Sequence, residues 1–309
     1  MPAHVSIVIP AHNAARYLAA TLESALGQTY AEREIIVIDD GSTDSTPALL
    51  QGYGTRIRVA QQKNAGQAAA RNHGARLAQG DLLLFLDSDD LLDADLLTQQ
   101  VALLNRFAGA DAVYCDHRTI DDEGQITADT GALSYPRPSG DILRALLHGP
   151  CIVTPALVLI RRAAFESSGG FNQIELMRGY EDYDLWLRMA AHSYFIYNPR
   201  TLVSYRRHPA QATRQEAYRL KASLATLSAL EGIGETVRAR GTADLLCFYA
   251  ARLRESHLSA AWAQGQLGDY PGALRTSWHS LVAQPTSLRA WRTWTHALTN
   301  RFARPWRRP

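Results

Sequence analysis

Cysteine is scarce. The 309 residues hold three, Cys115, Cys151 and Cys247, far apart and never in a CxxC pair. That spacing excludes a zinc ribbon and a disulfide framework, and it leaves the thiols as small core hydrophobes in a reducing compartment. Long apolar runs are missing too. No stretch approaches the roughly 20 residues that a membrane-crossing helix needs. The start, Met1-Pro2-Ala3-His4-Val5, lacks the basic segment and apolar stretch of a signal peptide. The expectation is a soluble cytoplasmic chain, attached to a membrane face at most. Charge of one sign is also lacking: the formal net charge of +2 is far from the dense basic face of a nucleic-acid-binding domain, so no nucleic acid is expected as partner. No GxGxxG follows a strand pattern, which argues against a dehydrogenase. The first strand leads into Pro10-Ala11-His12-Asn13 rather than a glycine-rich basic phosphate loop, which argues against a nucleotidyltransferase.

What is present is a globular composition, 46% hydrophobic and 20% charged, with room for one α/β domain of about 200–250 residues and a smaller appendage. Val5–Ile9 is a near-continuous β-branched run, the mark of a strand covered on both faces. Leu18, Leu22 and Leu26 then recur at helical spacing. Ile35–Ile38 is a second buried strand, ended by Asp39-Asp40-Gly41-Ser42, and Pro47 suits the first turn of a following helix capped by Thr43 or Asp44. Ile57–Ala60 reads as a third strand, Gly66 to Ala78 as a helix and Leu82–Leu86 as a strand. This alternation predicts a mostly parallel sheet with helices on both faces, which binds ligands at the carboxyl ends of its strands. Residues 111–207 are less regular: strands at Ala112–Cys115, Leu157–Ile160 and Leu202–Ser204, an Asp- and Gly-rich loop, and a helix at Glu181–Ala191. Composition turns to Ala, Leu and Arg after Pro209. A boundary near residue 210 therefore separates an α/β domain, 1–210 (nucleotide half about 1–110, acceptor half about 111–210), from a helical region, 211–309. Gly268–Leu274 resembles half of one tetratricopeptide unit, whereas a solenoid needs three or more; a helical hairpin is the simpler expectation.

Carboxylates cluster at the strand ends. Asp87, Asp89 and Asp90 end the fourth strand, where unpaired burial would cost several kcal/mol. A hard divalent cation, Mg²⁺ or Mn²⁺, held by one or two carboxylates and substrate phosphates, answers that cost. In an extended chain Asp87 and Asp89 face one ligand and Ser88 faces away; Asp90 reads as the cap of a helix beginning near Asp93. Asp40 can accept hydrogen bonds from a base or ribose, and Asp39 or Ser42 suits an Asx turn. Arg71 is either an exposed helical arginine or one that reaches a phosphate or braces the aspartates.

Together, Val5–Asn13, Asp39–Asp44, Gly66 with Ala70-Arg71-Asn72, and Asp87-Ser88-Asp89 resemble the successive signatures of family 2 glycosyltransferases of the GT-A fold. The resemblance covers about residues 4–210. It implies that Pro10, His12, Asn13 and Asp40 line the nucleotide pocket, with Asp40 on a uracil-type ring, and that Arg71 supports the nucleotide. It implies that Asp87 and Asp89 hold ribose and metal, with Asp89 the direct ligand. His12 replaces the aromatic Tyr often found there. Gly169-Gly170-Phe171-Asn172 is similar to the family's GGFDE segment, with Asn172-Gln173 for its acidic pair. In Tyr180-Glu181-Asp182-Tyr183-Asp184, the helix dipole alone favours carboxylates, but the family's acceptor-activating ED element implies Asp182 as general base, Glu181 as alternate or acceptor-orienting residue, and Asp184 as structural. His208 looks like the family's late histidine at the metal or diphosphate, and Arg206 or Arg207 is placed to neutralise that diphosphate. The implied activity is inverting transfer of a sugar from a nucleoside-diphosphate donor, UDP favoured, to a hydroxyl of a glycan or lipid-linked glycan of a bacterial surface. The alternative is a non-catalytic nucleotide-binding scaffold that docks a partner through its helical region.

The tail interleaves Trp291, Trp294, Phe302 and Trp306 with Arg289, Arg292, Arg301, Arg304, Arg307 and Arg308. That mixture suits peripheral contact with an anionic membrane, or else a helix with aromatics in the core and a basic end.

Overall fold

The computed structural model describes residues 2–129, 136–149, 151–209 and 216–303. The chain divides into two compact units, Met1–Pro209 and Ala210–Pro309.

In the first unit, β1 (Val5–Ala11), β2 (Arg33–Asp39), β3 (Arg58–Gln61) and β4 (Leu82–Phe85) lie in the order β3-β2-β1-β4, all parallel. Every residue of β1 is buried, which is why its apolar run is continuous rather than alternating. Helices α1 (Leu18–Leu26), α2 (Thr46–Gln51) and α3 (Gln67–Leu77) follow the first three strands. Helix α3 packs closely on the sheet at Gly74: a Cβ there would sit 2.3 Å from Cγ1 of Val8. This approach places Arg71, one turn earlier, towards the carboxyl ends of the strands.

Beyond β4 the sheet changes direction. Strand β8 (Val158–Arg161) runs antiparallel to both β4 and β6 (Ala112–Ile120). Next come β9 (Phe195–Arg206), parallel to β6, and the edge strand β5 (Leu91–Leu92), antiparallel to β9. The sheet is therefore parallel from β3 to β4, and beyond β4 it mixes the parallel β6–β9 pair with antiparallel pairs. Strand β9 begins well before the expected Leu202, because its register jumps from Cys115↔Asn198 to Asp116↔Thr201. Pro199 and Arg200 fall in that bulge, where a proline without an N–H costs no ladder bond. The Asp- and Gly-rich loop is the turn of a hairpin joining β6 to β7 (Ile126–Asp129). Asp121 Oδ1 holds it by accepting the Glu123 and Gln125 N–H groups at 3.1 and 2.8 Å. Helix α4 (Leu96–Arg106) starts later than the expected Asp93, and α5 (Leu143–His148), α6 (Arg162–Ser167) and α7 (Glu181–Ala190) complete the unit.

The described part of the second unit is five helices: α8 (Glu216–Gly232), α9 (Gly234–Arg240), α10 (Ala243–Gln266), α11 (Tyr270–Ala283) and α12 (Leu288–Ala303). Asp269 Oδ1 caps α11 by accepting the Gly272 N–H at 2.9 Å, and Pro271 stands in its first turn. Gly268–Leu274 is thus the turn into α11 and its first turn. Arg304, Trp306, Arg307 and Arg308 lie outside the described residues, as do the side chains of Arg301 and Phe302. Among the described residues no helix is long and apolar enough to cross a membrane.

Candidate active site

At the ends of β1 and β2 the chain makes two interlocked loops. Asn13, a non-glycine residue with positive φ (49°), turns its Oδ1 to the N–H groups of Thr43 (2.8 Å) and Asp44 (3.3 Å). Asn tolerates that conformation because its short amide can bond locally. Asp39 accepts the Ser42 N–H at 3.0 Å, the expected Asx turn. The Asp40 carboxylate is buried and accepts three donors at 2.8 Å: Gln62 Nε2, Ala65 N–H and Gly66 N–H. It therefore fixes the lead into α3. His12 stays exposed, with Nδ1 2.9 Å from the Asp40 carbonyl and Asn64 Nδ2 3.1 Å away. Pro10 is buried at the end of β1. The four residues expected near the nucleotide at this corner, Pro10, His12, Asn13 and Asp40, lie together or in adjoining loops.

The segment Asp87–Asp90 is a turn, not an extended strand: the Asp90 N–H donates to the Asp87 carbonyl at 3.1 Å. The carboxylates of Asp87 and Asp89 still interact. Burial first, and then the Asp87 charge, push the Asp89 carboxyl above its usual range, while His208 pulls it down. The expectation that Asp90 caps a helix is corrected. Its side chain is fully buried, accepting the Arg206 N–H (2.9 Å) and the Thr154 hydroxyl (3.1 Å), and α4 begins only at Leu96. Burial, then Asp89 and Asp87, hold the Asp90 carboxyl far above the ordinary carboxylate range.

Arg71 is buried, not exposed. Its Nη2 lies 2.5 Å from Asp87 Oδ1 and its Nη1 2.8 Å from Glu181 Oε1. Coulombic attraction from both carboxylates outweighs burial and keeps the guanidinium charged. Glu181 also accepts the Gly179 N–H, so both of its oxygens are engaged. The neighbouring Asp182 is half-buried, and its Oδ1 accepts the Tyr183 N–H at 2.7 Å. Burial, followed by the Glu181 charge, pushes its carboxyl up to about 7 despite the opposing pull of Arg71. A carboxyl near 7 is suited to accept a proton at neutral pH. Asp184 instead pairs with Arg188 at 2.6 Å, and Arg188 reaches the carbonyls of Ser168 and Gly170.

His208 Nε2 stands 3.0 Å from Asp89 Oδ2. The His208 ring packs against Tyr17 with centroids 4.9 Å apart, and the Tyr17 hydroxyl donates to Asp122 at the β6–β7 turn. Arg206 is a buried strut: its Nε donates to the Asp89 carbonyl at 2.9 Å and its Nη1 to the Asp121 carbonyl at 3.0 Å. Arg207 is exposed. Of the two, Arg207 is the one open to solvent.

The donor set fits a hard divalent cation, because carboxylate and imidazole suit it and a cation would offset both the burial of Asp89 and the Asp87 charge beside it. Among the described residues no group of three His, Cys, Asp or Glu is placed to hold a metal.

Three contributors have no individual role in the sequence reading. Asn72 clamps the Gly-Gly-Phe loop, its Nδ2 donating to the Phe171 carbonyl at 2.8 Å and its Oδ1 accepting the Phe171 N–H at 2.9 Å. Its place beside Arg71 in Ala70-Arg71-Asn72 was the available signal. Thr154 and Tyr17 act across long stretches of sequence, and no local pattern marks them.

Comparison with known proteins agrees with this architecture. The model of glycosyl transferase family 2 matches residues 6–169. An uncharacterized glycosyltransferase of Rickettsia typhi is 31% identical over 219 residues, or 68% of this chain, and the match spans 65% of that relative's length. Among solved structures, residues 1–349 of S. aureus TarS in complex with UDP-GlcNAc align with a TM-score of 0.66 at 16% identity, covering 96% of this chain and 89% of that one. The mannosyltransferase PcManGT from Pyrobaculum calidifontis, in complex with GDP-Man and Mn²⁺, aligns with a TM-score of 0.60 at 20% identity, covering 98% and 88%. These structures share the GT-A fold with it. On the family match, which spans more than half of the sequence, the chain belongs to glycosyl transferase family 2.

Proposed function

We propose that the protein transfers a sugar with inversion from a uridine-diphosphate donor to a hydroxyl of a glycan or lipid-linked glycan. The observation that carries this reading is the buried Arg71, which ties Asp87 of the strand-end carboxylates to Glu181 and leaves Asp182 beside them with a carboxyl at about 7. The Asp40, His12 and Asn64 corner, at the mouth of the same helix α3, takes the nucleotide base. Asp182 Oδ2 accepts the proton of the acceptor hydroxyl as its oxygen bonds to the anomeric carbon and the bond to the diphosphate breaks. Such base assistance contributes roughly 10²–10⁴-fold in rate. Glu181, with both oxygens engaged, orients the helix start rather than taking the proton. Asp89 and His208, 3.0 Å apart, are the residues that would hold Mn²⁺ or Mg²⁺, with Asp87 beside them; when bound, the cation would supply Lewis-acid stabilisation to the departing diphosphate.

Support for the donor class comes from structural neighbours bound to UDP-GlcNAc and to GDP-Man with Mn²⁺. The free thiols of Cys115 and Cys151, both buried, agree with a cytoplasmic setting. The test is release of nucleoside diphosphate from a panel of UDP-, dTDP- and GDP-sugars with short glycan acceptors. The expected result is turnover of a UDP-sugar, lost with chelator and in Asp182→Asn. Turnover that survives Asp182→Asn at near-parent rate would remove the base assignment, and no turnover of any sugar in the panel would remove the transferase reading.

A further inference from the structure

The second unit exposes large apolar side chains at the end of α10, Trp262 and Leu267, and in a larger group about the α11–α12 turn. Val282, near the end of α11, is 64% exposed, and Leu288 and Trp291, at the start of α12, are 75% and 45% exposed. Trp291 folds back on the connection between the helices, its Nε1 donating to the Pro285 carbonyl at 2.8 Å. One turn back from Val282, Trp278 is 53% exposed; at i and i+4 the two lie on one face of α11. Helix α12 is two-sided: Ala290 and Ala297, two turns apart, are buried, while Leu288, Trp291, Arg289 and Arg292 look outward. Stray exposed apolar residues are ordinary on a protein surface, but a cluster built around tryptophan marks a contact surface.

Charge says what kind of contact. From Tyr270 to the end of the sequence there are seven arginines and no aspartate or glutamate. A protein partner could satisfy a few of these cations, but an acid-free segment of this length matches a surface that is negative throughout. The indole matches as well: its N–H is already bonded within the chain, so the ring can leave water without orphaning a donor. We propose that the α11–α12 turn is a docking surface for an anionic lipid bilayer. Val282, Leu288 and Trp291 enter the headgroup–acyl boundary, and Arg289 and Arg292 lie against headgroup phosphates, as in interfacial helices that bind by apolar burial plus attraction to anionic lipid. This goes beyond the transfer reaction and does not depend on it.

The test uses the full chain and sedimentation with vesicles of phosphatidylglycerol mixed into phosphatidylcholine, against phosphatidylcholine alone. The expected result is partition onto the anionic vesicles, weakened roughly five-fold for each of Arg289→Gln and Arg292→Gln. Leu288→Ser with Trp291→Ser should also release the protein, with every arginine kept. Circular dichroism and donor turnover should match the parent, since the altered side chains are exposed and lie outside the proposed site. A chain that stays in the supernatant at every phosphatidylglycerol content overturns the proposal. So does a Leu288→Ser/Trp291→Ser chain that binds vesicles as well as the parent, because diffuse charge then accounts for binding. A parent that is oligomeric without lipid and becomes monomeric in that variant also overturns it, assigning the face to self-association.

Discussion

Arg71 and Glu181 form an ion pair at 2.8 Å in which both side chains are only 3% exposed. The pair joins α3 to the start of α7, 110 residues further along the chain. A second carboxylate, Asp87, completes it on the other guanidinium nitrogen.

Removing that guanidinium leaves buried carboxylates unpaired. Arg71→Met is expected to lower unfolding stability by about 3–5 kcal/mol, the usual loss when one partner of a buried pair is removed. Arg71→Lys recovers little, because one ammonium cannot span two carboxylates as the planar fork does. Urea midpoints for the three proteins measure this.

Asp182 gives a pH signature with a defined sign. Its carboxyl is raised in the folded state from 3.8 to about 7. Transfer that needs the ionised form therefore rises with pH and levels off above about pH 7. Stability moves the other way: the folded chain binds the proton more tightly than the unfolded one, so this stabilising contribution is complete below pH 3.8 and is lost as pH rises through about 7. Asp182→Asn should melt progressively higher than the parent as pH rises through that window, while losing most transfer activity. Thermal melts and rate profiles across the same buffers check both.

Asn72 makes two hydrogen bonds to the Phe171 backbone, and a Cβ on Gly170 would stand 2.8 Å from its Oδ1. Asn72→Ala leaves buried backbone groups without partners, a loss of about 1–3 kcal/mol, and loosens the loop that Arg188 also holds. A lowered urea midpoint together with a raised acceptor KM is the expected result.

Tyr17 supports His208 from the side. Tyr17→Leu removes both the ring contact and the bond to Asp122. Loss of a group that orients a metal ligand costs roughly 10–100-fold in metal affinity. The Mn²⁺ concentration needed for half-maximal UDP binding should rise by that order in Tyr17→Leu and stay nearer the parent in Tyr17→Phe, which keeps the ring.

The first 110 residues were legible because β1, most of β2 and β4 are buried and the helices between them amphipathic, so each element carries its own pattern. The same holds for Asp39, whose Asx turn is local. Asp90 was misread because a solvated cap and a buried strut look alike in sequence; the difference lies in Arg206 and Thr154, far along the chain. Strand β9 was expected only over Leu202–Ser204, whereas it runs from Phe195 and takes Pro199 into a bulge. Arg71 stayed ambiguous for a related reason: only the packing of Gly74 on Val8 decides that it points inward. Long-range pairing, not propensity, settled these positions.

The central claim is that the Asp87–Asp89 turn and His208 hold a cation that binds a nucleoside diphosphate. The most direct measurement is calorimetric titration of the folded parent and Asp89→Ala with UDP, once with Mn²⁺ and once with EDTA. The account predicts UDP binding that requires Mn²⁺ in the parent and is lost in Asp89→Ala. Equal UDP binding in EDTA, or full Mn²⁺-dependent binding by Asp89→Ala, would contradict it.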